Sequence, residues 1–98
     1  MNSNRLVLTG EVIEVAELRY TPAGIPLLTL TIKHASQQIE AGMKRQIECE
    51  VSAVAMAEMA DKAKGLKLGN VVRIEGFLAK KSLNSRYLVL HTNELEII

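Results

Sequence analysis

Gly76 stands in the interior of an apolar strand pattern that runs from Leu68 to Lys81. Phe77 and Leu78 continue the apolar residues beyond it, so the glycine does not simply mark the end of a strand. Gly10 has the same kind of position inside the strand pattern near the N-terminus. Glycine lacks a Cβ and therefore lets a strand bend sharply or form a bulge without a clash. Two such strands favour a small closed barrel, whose strands must bend at its corners.

Alternation of apolar and polar residues predicts five strands in all. A turn is predicted at TPAGIP, residues 21–26, which has proline near both ends and a glycine between them. A loop is predicted over Gln37–Met43, which is polar and contains a glycine. The predicted strands are Arg5–Glu17, Leu27–His34, Lys44–Val51, Leu68–Lys81 and Tyr87–Leu95.

The segment SAVAMAEMADKAKG, residues 52–65, is rich in alanine and methionine and predicts a helix. Ser52 is a suitable N-cap, and Gly65 suits the position just after the last turn. Apolar residues at helical spacing form one face, for which core packing is a better interpretation than a partner groove. The residues of that face are Val54, Met56, Ala57, Ala60 and Ala63.

The predicted order is three strands, one helix and two strands. This is the order of the OB-fold, an all-β, five-stranded Greek-key barrel, here with one short helix between strands three and four. The 98 residues suffice for one domain, residues 1–98, with a single core. No apolar run approaches the roughly 20 residues of a membrane span, and the N-terminus lacks the apolar core of a secretory signal. With Cys49 as the only cysteine, we expect a cytoplasmic location and no membrane partner.

Several segments resemble the PriB family (primosomal replication protein N), small bacterial OB-fold relatives of single-stranded DNA-binding protein. They are NRLVLTGEV, TPAGIP, KHASQQIEAGMKRQIEC, VRIEGFLAKKS and LVLHTNELEII. The resemblance runs nearly from end to end. It implies a homodimer that binds single-stranded DNA and joins the PriA helicase and other primosome proteins when stalled replication forks restart. Because related proteins pair their first strand across a two-fold axis, it also implies a dimer interface at Leu6, Val7 and Leu8.

Single-strand binding normally requires cations along a groove and aromatic faces on which bases stack. The net charge of +1 does not by itself indicate a nucleic-acid partner, so any such indication must come from local clusters of cations. Three cations and no acid occur in KKSLNSR, between strands four and five, where many OB-folds contact nucleic acid. A merely solvated hairpin is the alternative. The predicted nucleic-acid-binding residues are Arg19, Tyr20, Lys33, Lys44, Arg45, Lys80, Lys81 and Arg86.

Aromatic residues are few: Tyr20, Phe77 and Tyr87. Phe77 is predicted to lie in the core. Familiar PriB proteins carry a tryptophan on strand three and an aromatic residue after the Ala-Gly pair, and this chain has Glu48 and Met43 there. Stacking on one base contributes about 1–3 kcal/mol. We therefore expect weaker and more salt-dependent DNA binding than in a relative with these aromatics.

Met43, Lys44 and Arg45 combine an exposed apolar side chain with two cations and are predicted to bind the helicase as well as DNA. Catalysis has little support, because no spacing typical of a nucleophile, metal site or phosphate loop occurs. Cys49 is predicted to be a buried, inert thiol on the apolar face of strand three. We expect no catalytic residue, no metal and no cofactor.

Three functions remain open. The first is single-stranded DNA binding in replication restart, which we favour. The second is a protein-interaction adaptor on the same fold with residual nucleic-acid binding, supported by the near-neutral charge and the missing aromatics. The third is an RNA-binding OB domain, which is disfavoured because the aromatic-rich strands of cold-shock domains are absent.

Overall fold

Six strands and one helix make up the computed structural model, which describes residues 2–98. The second strand is only two residues long, and the other five correspond to the five predicted strands. In chain order the elements are β1 (Leu6–Val15), β2 (Arg19–Tyr20), β3 (Pro26–Glu40), β4 (Met43–Met56), α1 (Glu58–Ala63), β5 (Val71–Lys80) and β6 (Leu88–Ile97). No helix of residues 2–98 is long and apolar enough to cross a membrane.

The sheet closes into a barrel because β1 pairs with two strands. Its first part lies antiparallel to β5, from Leu6 to Glu11, and its second part lies antiparallel to β3, from Glu11 to Val15. The order around the sheet is β1-β5-β6-β4-β3-β2, and only β4 and β6 pair in parallel. The predicted five-stranded barrel, with its helix between the third and fourth long strands, is confirmed.

Branched aliphatic side chains fill the interior of the barrel, as the alternation of each strand requires. Val12, Ile32, Val72, Ile74 and Leu90 are fully buried and come from four different strands. The helix α1 contributes Ala60 and Ala63, which are also fully buried and belong to the same cluster. Because alanine is small, the helix backbone packs close to the barrel.

The predicted loop Gln37–Met43 is wrong, because β3 and β4 continue as one long hairpin. Paired residues run from Leu27 opposite Met56 to Glu40 opposite Met43. Ala41 and Gly42 form a two-residue turn with φ of 52° and 77°, the signature of a type I′ turn. From residue 34 to residue 50 the two strands pair only with each other. This hairpin arm is polar because it projects beyond the barrel, where no core selects for alternation.

The predicted helix is too long. Residues 52–56 belong to β4, and α1 begins only at Glu58. Ser52 is therefore not an N-cap, and Val54 and Met56 do not lie on a helix face. The strand ends at Met56, and Ala57, with a φ of 55°, turns the chain into α1. Ala53 and Ala55 also fit a period of two, and pairing with β3 outweighs the helix propensity of alanine here.

Both glycines inside strands permit a close approach between backbones. A Cβ on Gly76 would overlap the carbonyl oxygen of His91 on β6, and the β5–β6 register shifts between Glu75 and Gly76. A Cβ on Gly10 would lie 2.8 Å from the carbonyl oxygen of Lys33 on β3. Glu75 pairs with Glu94 and Gly76 pairs with Thr92, so the extra residue of this β-bulge is Asn93 on β6.

Replacing Gly76 with alanine should separate β5 from β6, because the new methyl group meets backbone that no rotamer change can move. We expect the free energy of unfolding to fall by at least about 2 kcal/mol, measured by urea denaturation. Gly65→Ala is the matched control, because its Cβ would have ordinary contacts at 3.7 Å from the carbonyl oxygen of Lys62. Equal stability of the two variants would contradict the close approach.

Candidate nucleic-acid interface

Arg19 and Lys81 line one groove on the outer surface of the barrel, although 61 positions separate them in the chain. The groove has a volume of about 240 Å³. Its floor is mostly apolar and comes from the outward side chains of β3, β4 and β6. The floor residues are Leu27, Thr29, Ser52, Val54, Met56, Val89 and His91. One cation on each side of an apolar floor suits a ligand that carries both negative charges and flat apolar groups. We call this surface the basic groove.

Strand β2 and its turn position Arg19. Arg19 and Tyr20 pair with Leu27 and Pro26, so β2 folds back onto the start of β3. In the turn, the amide of Ile25 donates to the hydroxyl of Thr21 at 3.1 Å, and the amide of Thr21 donates to the carbonyl of Ile25 at 2.9 Å. The predicted turn at residues 21–26 is confirmed, and it fixes Arg19 beside the groove. Tyr20 is 66% exposed and does not line the groove.

The segment between β5 and β6, residues 81–87, places Lys81 on the other side of the groove. We call this segment, together with Lys80 at the end of β5, the basic loop. The amide of Lys81 donates to the carbonyl of Tyr87 at 2.8 Å and closes the loop at its base. The ammonium group of Lys80 donates to the carbonyl of Leu83 at 3.2 Å. Arg86 is exposed on the same loop. As predicted, these cations flank the loop, with Lys80 at the end of β5 and Lys81 and Arg86 beyond it.

Phe77 is not in the core, which corrects the prediction made for it. Its side chain is 38% exposed and stacks on the ring of His91, with centroids 5.0 Å apart and planes 4° apart. The two residues are directly opposite in the β5–β6 register, and Val54 is opposite His91 in the β4–β6 register. The alternation of β5 could have predicted this exposure. Phe77 is an even number of residues from Arg73 and Glu75, which face outward, and an odd number from the buried Ile74.

A second depression adjoins the basic groove at this aromatic pair. It is lined by Phe77, Thr92 and Asn93 together with Val54, Met56 and His91, and these last three also line the basic groove. The two depressions therefore adjoin each other at β4 and β6. We call the second one the aromatic depression.

The remaining predicted cations lie on the hairpin arm or, for Lys33, at its base, away from the basic groove. Lys33 makes an ion pair with Glu48 at 3.2 Å, and Arg45 makes one with Glu40. Lys44 is exposed near the turn, as is Met43, whose side chain is 67% exposed. Within residues 2–98, Arg19, Lys44, Lys80, Lys81 and Arg86 have no carboxylate within 4.0 Å.

Cys49 is exposed, so the prediction of a buried thiol is wrong. It does alternate with the acidic residues of β4, but it lies on the hairpin arm, where its strand face has no core beneath it. Lys33, Glu48 and Glu50 surround it in a shallow depression. Among residues 2–98, no group of three or more histidine, cysteine or acidic side chains is arranged to hold a metal ion.

The residues expected at a dimer interface lie on a strand edge. Leu6 and Leu8 are half-buried and pack against the core, whereas Val7 is 38% exposed. Over Leu6–Gly10, β1 pairs with β5 on one side. On its other side, no strand of residues 2–98 pairs with it before Glu11. An open edge of this kind can accept a further strand.

Comparisons with known proteins agree with this architecture. A family described as another single-strand binding protein family matches residues 4–94. Replication restart protein PriB of Nitrosomonas europaea is 42% identical over 98 residues, covering 100% of this chain and 91% of that protein. The structure of PriB from Ralstonia solanacearum superposes with a TM-score of 0.91 at 34% identity and covers 98% of both chains.

The single-stranded DNA binding protein of Thermus aquaticus shares the fold, with a TM-score of 0.79 at 17% identity; the match covers 98% of this chain and 50% of that one. The resemblance stated from sequence segments is thus confirmed over the full length. Both the matching family and the Thermus aquaticus protein are described as single-strand binding proteins. The chain belongs to the PriB family of replication restart proteins, within the wider single-strand binding protein family.

Proposed function

We propose that this protein is a cytoplasmic, single-domain accessory factor of the replication-restart primosome that binds single-stranded DNA and bridges it to the PriA helicase. The observation that carries the proposal is the basic groove, in which Arg19 and Lys81 flank an apolar floor. Phosphates of a single strand would contact the cations, and bases would lie on the floor, which is the general mode of OB-fold binding.

Local electrostatics rank the predicted cations. An arginine or lysine already paired with a carboxylate must give up that partner to contact a phosphate. Lys33 and Arg45 have such partners, whereas Arg19, Lys81 and Arg86 have none within residues 2–98. We therefore assign the principal phosphate contacts to Arg19 and to the basic loop, and secondary contacts to Lys33 and Arg45. Lys44 has no carboxylate partner but lies on the hairpin arm outside the basic groove, so we also assign it a secondary contact. Tyr20, exposed beside Arg19, remains a candidate for base stacking.

An adaptor role has its own support on the hairpin arm. Ile39 and Met43 are 73% and 67% exposed near the turn, with Lys44 and Arg45 beside them. Exposed apolar side chains among charges are typical of protein-binding sites. The arm therefore suits a protein partner better than it suits a phosphate chain. If protein binding by the arm is the main role of this protein, we expect only weak nucleic-acid binding at the basic groove.

Alanine at Lys80, Lys81 and Arg86 should weaken binding of oligo-dT at low salt. Each phosphate contact releases counterions, with a slope near −0.7 for single strands. The plot of log affinity against log salt should therefore become shallower by up to about 2 per protomer. An equilibrium titration with oligo-dT at several salt concentrations measures this. Similar losses are expected for oligo-dC, since phosphates carry no sequence information.

The matched control is the triple alanine variant at Lys62, Lys64 and Lys67, which removes the same charge from α1 and the segment after it. None of these side chains lines the basic groove. An unchanged slope in the basic-loop variant, or equal changes in both variants, would contradict phosphate contact by the basic loop. Binding that is tighter for an RNA oligomer than for oligo-dT would favour an RNA-binding domain instead.

A symmetric homodimer should form through the open edge of β1, with Leu6, Val7 and Leu8 at its centre. Aspartate at Val7 places a charge in that interface and should give a monomer in sedimentation at tens of micromolar. Val71→Asp is the control, because Val71 is similarly exposed, at 42%, but lies at the start of β5. A wild-type chain that sediments as a monomer would remove this proposal.

DNA and helicase should compete for overlapping surface that includes Met43, Lys44 and Arg45. Excess oligo-dT is expected to reduce binding of purified PriA helicase to the immobilised protein. Met43→Ala should weaken helicase binding more than DNA binding, because it removes apolar area and no charge. If saturating oligo-dT leaves helicase binding unchanged, the two surfaces are separate.

A further inference from the structure

We propose that Phe77 and His91 form a base-stacking platform, at which an unpaired base of a nucleic-acid strand lying in the basic groove extends the existing aromatic stack. This proposal rests on the proposed function and specifies a part of its site. The ligand is a nucleobase attached to a sugar-phosphate chain, and it need not be one particular base.

The rings themselves provide the first argument. Phe77 and His91 lie 5.0 Å apart between centroids with planes 4° from parallel, so the pair presents an ordered flat surface. Phe77 is 38% exposed although it stands on a strand of the barrel wall. Stacking on a base contributes affinity whatever the base is, because every base has a π-face.

The position of the pair provides the second argument. Val54, Met56 and His91 belong to both the basic groove and the aromatic depression. A strand whose phosphates contact Arg19 and Lys81 would therefore pass directly beside the platform. Charge for the backbone and a flat surface for a base occur together here, and these are the two elements that single-strand binding needs.

The backbone provides the third argument, because it holds the platform in place. The bulge at Gly76 brings the β6 backbone close to β5, and the residues that follow restore the pairing with Phe77 opposite His91. Both rings therefore stand on strands of the barrel and not on a loop.

Phe77→Leu removes the ring and keeps an apolar side chain of similar size. We expect it to weaken oligo-dT binding between about 5-fold and 100-fold. The salt slope should stay as in the wild type, because no phosphate contact is lost. Phe77→Tyr keeps the ring and should bind within twofold of the wild type. Leu68→Ala is the control, because it removes an apolar side chain that is 68% exposed and lines neither the basic groove nor the aromatic depression.

Binding of an oligomer of abasic sites distinguishes a loss of base stacking from a change in the fold of the variant. It retains the phosphates and lacks the bases, so Phe77→Leu and the wild type should bind it equally. A Phe77→Leu variant that loses the same factor on both oligomers acts through the fold, and this result would overturn the platform. A loss of less than twofold on oligo-dT would overturn it as well.

Fluorescence gives a direct measurement, because the natural chain has no tryptophan. The tryptophan fluorescence of the Phe77→Trp variant should be quenched on addition of oligo-dT. The fluorescence of the Leu68→Trp variant should not change, because residue 68 precedes the opposite end of β5. Quenching at neither position, with oligo-dT still bound, would overturn the platform and leave the proposed function intact. A wild-type chain that binds no oligo-dT at low salt would instead overturn both.

Discussion

The close approach between the backbones of β5 and β6 at Gly76 is the contact on which the functional surface depends. Any side chain at this position would overlap the carbonyl oxygen of His91. The approach allows a bulge, and the bulge determines which residues of β5 and β6 face one another beyond it. Phe77 then lies opposite His91, and the outer wall of the barrel acquires an aromatic pair. The absence of a Cβ at Gly76 thus permits the β5–β6 contact that places the aromatic pair on the outer surface.

The distribution of carboxylates decides which cations are available to a ligand. The net charge of the chain is only +1, but its cations lie in two different environments. On the hairpin arm and at its base, Glu40 pairs with Arg45 and Glu48 pairs with Lys33, which reduces the local positive charge. In the basic loop, no acid lies between Lys80 and Arg86. Surface ion pairs contribute little to stability, roughly 0–1 kcal/mol. Their main effect here is on where a polyanion can bind.

The hairpin arm and the barrel wall offer surfaces of different kinds. The arm is held by pairing between β3 and β4 alone beyond residue 34, and its end carries exposed apolar side chains among charges. The wall carries the basic groove and the aromatic depression on strands that the closed barrel fixes on both sides. A nucleic-acid strand that runs from the wall to its secondary contacts at Lys44 and Arg45 would therefore share only the end of the arm with a protein partner.

Local sequence by itself determined the class of fold, the positions of the strands in the barrel and the turn at residues 21–26. Each of these follows from short-range patterns: alternation set by a packed core, and proline and glycine set by backbone geometry. Arg19 and the cations of the basic loop could be found for the same reason, since they follow strand ends. Only tertiary structure decided the length of the hairpin arm, the start of α1 and the exposure of Phe77 and Cys49. Alternation shows that two faces differ, but it does not show whether a core lies beneath either face. That depends on which distant strands pair, and for Phe77 it depends on the contact between Gly76 and His91.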